Sequence, residues 1–223
     1  MFDMIKTFLS KQWYMRLSLF SLFFLCCFMA LFFFCRSQSQ PVFFDQWIMD
    51  IIYSWQKPFL DIVFNTVTFI GGPLLPFLIV GLAVVLFFVF KRGIATLYFL
   101  GANIANAALI TFFKYFGDRA RPDDGLGLDD AVNNYSFPSG HTAISIMFFG
   151  TLFWMTPSLN KNIWVQITIR LICAVLLVLV PLSRIYLYMH YPTDVLGGIL
   201  LALGVLMGFL FIFRLTYKGE KHA

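Results

Sequence analysis

The chain has 223 residues, 60% of them hydrophobic and only 12% charged, with a mean hydropathy of +0.82. Soluble domains carry about twice that charged fraction, so the composition belongs to the membrane class. The net charge of +5 is scattered at the flanks of apolar runs, which reads as membrane topology rather than a nucleic-acid footprint.

A hydrocarbon core takes about 20 apolar residues per helix, and six segments answer to that in chain order. The first runs from Leu17 to Cys35. It follows Lys6, Lys11 and Arg16 as a signal peptide would, but it is long for an h-region and no A-x-A-like site follows. It reads as a retained helix. Cys26, Cys27, Cys35 and Cys173 have no zinc-ligand spacing and read as small buried apolar residues.

Phe43 to Pro73, "FFDQWIMDIIYSWQKPFLDIVFNTVTFIGGP", is interrupted by Asp45, Asp50, Lys57 and Asp61, which makes it a poor span. Trp47, Tyr53 and Trp55 suit the headgroup layer. One or two amphipathic helices in the outer interface, broken near Pro58, are expected. A partly buried external loop and a lateral gate for lipid are both open readings of it.

The second span is Leu74–Phe90 and the third Ile94–Phe113. The fourth, Thr142–Thr156, is short. The fifth is Ile163–Leu182 and the sixth Val195–Phe213. Gly101, Ala102, Ala105, Ala107 and Ala108 in the third, and Gly197, Gly198, Ala202, Gly204 and Gly208 in the sixth, let helix backbones approach closely. Packing explains both stripes better than a transport path. Asn103 and Asn106 are expected to hydrogen-bond inside the bundle. The fold expectation is all-α: one domain over residues 1–223, a six-transmembrane-helix bundle with interfacial helices between the first two spans.

Orientation follows the Lys/Arg bias. With the N-terminus inside, the cytoplasmic side collects Lys6, Lys11, Arg16, Lys91, Arg92, Lys161, Arg214, Lys218 and Lys221. The outer side collects Arg36, Lys57, Lys114, Arg119, Arg121 and Arg184. Both termini are therefore expected in the cytoplasm.

Polar residues at membrane depth call for a reason. They fall into three clusters: "KYFGDRARP" (Lys114–Pro122), "PSGH" (Pro138–His141) and "SRIYLYMHYPTD" (Ser183–Asp194). On the six-helix topology each sits at the outer end of a helix. Together they offer Lys114, Arg121 and Arg184, a helix start at Ser139-Gly140, and two histidines. A helix start presents free N–H groups to an anion, and Arg forks match phosphate oxygens. Several cations converging on one point favour phosphate over carboxylate. With a helix beginning near Pro192, Asp194 can reach His190, fix its tautomer and leave the other nitrogen to attack. His190 is then the nucleophile, and His141 the acid and later the base.

These motifs, K-x6-RP, PSGH and SR-x5-H-x3-D, resemble the three-part signature of the type 2 phosphatidic acid phosphatase superfamily, in its bacterial integral-membrane branch. The resemblance implies that His190 is the nucleophile, Asp194 its orienting group and His141 the general acid. Lys114, Arg121, Ser139, Gly140 and Arg184 would bind phosphate, with no metal or other cofactor required. It implies a multi-pass protein of the bacterial inner membrane, its active site at the outer, periplasmic face. The partners expected are a lipid phosphate or pyrophosphate and the bilayer, with no nucleic acid and no obligate protein partner. Phosphatidylglycerophosphate and undecaprenyl pyrophosphate are the favoured substrates, ahead of phosphatidic acid and the 1-phosphate of lipid A. A phosphotransferase using the same site is the alternative. A transporter is disfavoured, because the charge gathers at one face and leaves the midplane nearly bare. Asp123, Asp124, Asp129 and Asp130 read as a solvated loop rather than a metal site, and His222 as a residue of a polar terminus.

Overall fold

The computed structural model describes residues 2–37, 41–72, 74–122 and 135–219. The described residues form eight α-helices and no strand. They are α1 (Phe2–Arg36), α2 (Phe43–Tyr53), α3 (Pro58–Gly71), α4 (Leu75–Val84), α5 (Gly93–Gly117), α6 (Gly140–Leu159), α7 (Ile163–Tyr186) and α8 (Pro192–Gly219). A π-helical stretch, Val85–Val89, continues α4. The loop aspartates Asp123, Asp124, Asp129 and Asp130, and His222, lie outside the described residues.

Among the described residues, four helices are long and apolar enough to cross a membrane: Met15–Arg36 within α1, then α5, α7, and Pro192–Thr216 within α8. A fifth span arises if α3 and the Leu75–Val89 helix count as one, bent by 44° between them. The sequence reading of six spans differs at two places. Leu74–Phe90 is helical only over about 15 residues, or roughly 22 Å at 1.5 Å per residue, short of a ~30 Å hydrocarbon core. It reaches a membrane's width only together with α3.

The other difference is α6. It carries Thr142, Ser145, Thr151 and Thr156, all buried, which lower its apolarity. Its Ala143, Met147, Phe148 and Phe149 are buried as well. The helix packs against α3, α4, α5, α7 and α8. A helix enclosed by neighbours needs no lipid-facing side, and α6 is the central helix of the bundle.

The remaining helices wrap this centre. α1 lies along α8, where the small residues meet it. A Cβ at Gly204 would stand 2.7 Å from the Leu25 side chain, and one at Gly208 would stand 3.1 Å from Ser21 Oγ. Ser21 Oγ donates to the Gly204 carbonyl at 2.7 Å. At the other end of the seam, Phe28, Phe32, Phe113 and Phe137 form one aromatic cluster, with centroids of Phe28–Phe113 at 4.6 Å and Phe32–Phe113 at 5.1 Å. Phe77, Phe88, Leu97, Ile104 and Leu171 point outward, as lipid-facing residues do.

Some smaller expectations need correction. Cys35 and Cys173 are buried, but Cys26 is exposed and Cys27 half-buried. Asn106 donates across the bundle to the Ala143 carbonyl at 3.2 Å, whereas Asn103 donates back to Phe99 of its own helix at 2.8 Å. The break near Pro58 is present, with Pro58 opening α3 at its first turn.

Candidate active site

The three polar clusters meet at one end of the bundle. Lys114 stands in the last turn of α5, His141 in the first turn of α6, Arg184 in the last turn of α7 and Asp194 in the first turn of α8. Arg184, His190, Arg121 and Lys114 all lie within electrostatic reach of His141. The sequence spreads these residues over eighty positions; antiparallel packing of α5 to α8 gathers them.

The cationic wall is held by backbone and neighbouring side chains. Lys114 is buried, and its Nζ donates to the Tyr135 carbonyl at 2.6 Å. Arg184 is buried, and its Nη1 donates to Thr68 Oγ1 of α3 at 2.5 Å. Arg121 is half-buried, with Nη1 at 4.0 Å from Met189 Sδ. Ser139 precedes α6, its Oγ 2.9 Å from Thr142 Oγ1 and its N–H donating to the Asp194 carbonyl at 3.0 Å. At Gly140 a Cβ would lie 3.9 Å from Lys114 Cε, so the lysine stem runs beside the helix start. Gly72, at the bend between α3 and α4, abuts His141: a Cβ there would overlap the imidazole at Nε2. The bend thus forms one wall of the site.

His190 sits in the turn between α7 and α8, nearly fully buried. Its N–H donates to the Arg184 carbonyl at 3.1 Å, which ties the two site residues together. The turn includes Tyr188 at φ 56°, a left-handed conformation that is rare for a bulky residue. α8 begins at Pro192, as expected, and Asp194 comes near His190. The gap from His190 Nδ1 to Asp194 Oδ2 is 3.7 Å, longer than a hydrogen bond. Ser136 fills the role of a bridge. Its Oγ lies 3.3 Å from Nδ1 and donates to Asp194 Oδ2. Burial, reinforced by the Arg184 and Lys114 charges and only partly offset by Asp194, pushes the His190 pKa down to about 3. The imidazole is neutral at physiological pH, and a proton on Nδ1 leaves the Nε2 lone pair for chemistry.

Asp194 is fully buried and has other partners. Tyr191 N–H donates to Oδ2 at 2.8 Å, and Arg119 Nη1 donates to Oδ1 at 2.6 Å. Arg119 also reaches Asp45 Oδ2 through Nη2 at 2.7 Å, and it stacks over the Tyr191 ring at 4.5 Å. Burial disfavours its charge, but Asp194 and Asp45 outweigh that and hold its pKa above the usual arginine value. Ser136, Arg119, Asp45, Thr68 and Gly72 are therefore neighbours of the site that sequence reasoning left without a part in it. Only the first two had a signal, standing beside PSGH and RP. Among the described residues no three His, Cys, Asp or Glu side chains gather as a metal-ligating group. The chemistry on offer is that of fixed cations, helix N–H groups and two imidazoles.

A model of the PAP2 superfamily matches residues 95–218, more than half of the chain and all of the residues from Lys114 to Asp194. The chain belongs to the PAP2 superfamily. This PAP2 protein is 33% identical to phosphatidylglycerophosphatase B of Bacillus subtilis (strain 168) over 164 residues, covering 70% of this chain and 75% of that protein. Its fold matches the crystal structure of a transmembrane PAP2-type phosphatidylglycerolphosphate phosphatase from Bacillus subtilis with a TM-score of 0.70. The identity is 26%, and the match covers 89% of this chain and 96% of that one. It also matches Aquifex aeolicus LpxE with a TM-score of 0.52 at 25% identity, over 74% of this chain and 92% of that one. With its long apolar helices, the chain is an integral-membrane protein of the bacterial PAP2 phosphatase branch.

Proposed function

We propose that this PAP2 protein is a membrane lipid phosphatase that removes a terminal phosphate through a phosphohistidine at His190. One observation carries the reading: Lys114, Arg121, Arg184 and the start of α6 surround two imidazoles at one end of a membrane bundle. The substrate phosphate sits among these cations, with the Ser139 hydroxyl and the N–H groups of the helix start at Gly140 offered to it. His190 Nε2 attacks phosphorus, the bond to the lipid oxygen breaks, and His141 protonates that leaving oxygen. Water, deprotonated by His141, then attacks phosphorus, the P–N bond breaks, and inorganic phosphate leaves. Asp194, through Ser136, holds the Nδ1 proton and balances the charge on the phosphorylated ring. The cations stabilise the equatorial oxygens without a metal ion.

Phosphatidylglycerophosphate is the favoured lipid, supported by the Bacillus subtilis matches in sequence and in fold, followed by undecaprenyl pyrophosphate. In the membrane, the reading keeps one domain over 1–223 with six spans, α6 being the enclosed one. It keeps α2 in the outer interface, with α3 completing the second span, both termini cytoplasmic, the site at the periplasmic face, and no obligate protein partner. Purified protein is assayed for phosphate release on a panel of lipid phosphates and pyrophosphates, the 1-phosphate of lipid A included. Release from at least one is expected, and release from none rejects the reading. His190→Ala is expected to lose about a thousandfold or more of kcat with its fold retained. A phosphotransferase would yield a newly phosphorylated lipid in place of free phosphate.

A further inference from the structure

We infer that Asp45, on α2 and outside all three motifs, and Arg119, just after α5, are a positioning pair for the His190–Asp194 couple. The inference rests on the phosphohistidine reading above. Asp45 lies 148 positions from the first turn of α8 and before the stretch, residues 95–218, that the PAP2 model matches.

The geometry is specific. Asp45 is fully buried. Its Oδ1 accepts from Thr193 N–H at 2.9 Å, and its Oδ2 accepts from Thr193 Oγ1 at 2.9 Å and Arg119 Nη2 at 2.7 Å. Arg119 Nη1 then donates to Thr193 Oγ1 at 2.7 Å and to Asp194 Oδ1 at 2.6 Å. Asp45 thus caps a free N–H of α8 from another helix, and the guanidinium fork spans two carboxylates.

The charge balance is what matters for chemistry. One guanidinium between two carboxylates leaves one net negative charge, buried and facing His190. Without Asp45, Arg119 and Asp194 would form a neutral pair. Asp194 would then hold the Nδ1 proton less firmly and compensate less of the positive charge that appears on the ring when Nε2 is phosphorylated. Oδ1 is occupied by Arg119, so Oδ2 alone serves Ser136 and the Tyr191 N–H, and it reaches the imidazole through Ser136.

The test separates this role from a simple clamp on α2. Asp45→Asn keeps the shape and removes the charge. Turnover on the lipid that the wild type hydrolyses is expected to fall tenfold or more in kcat, with KM within threefold and the melting temperature in detergent close to wild type. The sequence has three histidines, so 15N-histidine NMR of the full chain resolves His190 directly. Its neutral Nδ1–H tautomer is expected in the wild type and a mixed tautomer in Asp45→Asn. An unchanged kcat together with an unchanged His190 tautomer overturns the pair, whatever happens to melting. If Asp45→Asn does not fold, Arg119→Lys, which keeps the charge but not the fork, is read by the same two criteria. A wild type that releases no phosphate rejects the phosphatase reading instead, and the tautomer then decides the pair by itself.

Discussion

His190 departs most from what its residue type does in water. A free imidazole is half charged near pH 6.5, whereas burial among cations keeps this one neutral until about pH 3. Between those values the unfolded chain takes up a proton that the native site refuses, so stability rises with pH across the window and falls as acid is added. Melting temperatures in detergent are expected to drop from pH 7 to pH 4, and His190→Gln to make that slope shallower. The same reasoning gives the pH–rate profile no acid limb from His190 above about pH 4. The motif residues were legible in the sequence because their chemistry is local: Ser139, Gly140 and His141 are adjacent, and His190 precedes Asp194 by one helical turn. Ser136, Arg119 and Asp45 were not, since their partners lie 54, 75 and 148 positions away. An aspartate in an aromatic, interrupted segment reads as solvent-facing when nothing nearby in sequence shows the arginine that buries it.

Helix positions were readable from apolar runs, but not which helices face lipid. α6 looks like a weak span because its threonines and serines face other helices, and hydropathy cannot tell a neighbour from a lipid tail. The close contacts around it make a test. Gly198 of α8 sits so near α6 that a Cβ would stand 2.7 Å from the Ser139 carbonyl oxygen, a backbone atom that cannot swing away. Gly198→Ala is expected to destabilise by about 1–3 kcal/mol and to lower kcat by displacing the PSGH turn. Gly81 in α4 has open space at its Cβ position, so Gly81→Ala is expected to be neutral or to gain up to about 1 kcal/mol. Chemical denaturation in detergent compares the two. α3 offers a further measure. Tyr186 of α7 donates to Asp61 at 2.6 Å and accepts from Lys57 N–H at 3.2 Å. Tyr186→Phe strands both partners and is expected to cost about 1–3 kcal/mol in the same experiment.

At the scale of the molecule, the site is a product of four helix ends, and the wall behind it is the seam of α1 with α8. Gly204→Val would drive that seam apart at Leu25, where even a Cβ is 2.7 Å away. The expected result is a protein that still inserts but melts at a lower temperature. The seam also sets an order of events during synthesis. Ser21 and the Gly204 carbonyl are 183 positions apart, so at roughly 5–20 residues per second the first helix waits about ten to forty seconds for its partner. In a bilayer that wait is cheap, because lipid tails cover Phe28 and Phe32 as well as protein does. The seam of α1 with α8 at Gly204 therefore closes after every residue of the site has been made. A ribosome stalled just before Gly204 would leave a chain holding every group needed to meet a phosphate and lacking the glycine contact that clasps its first helix.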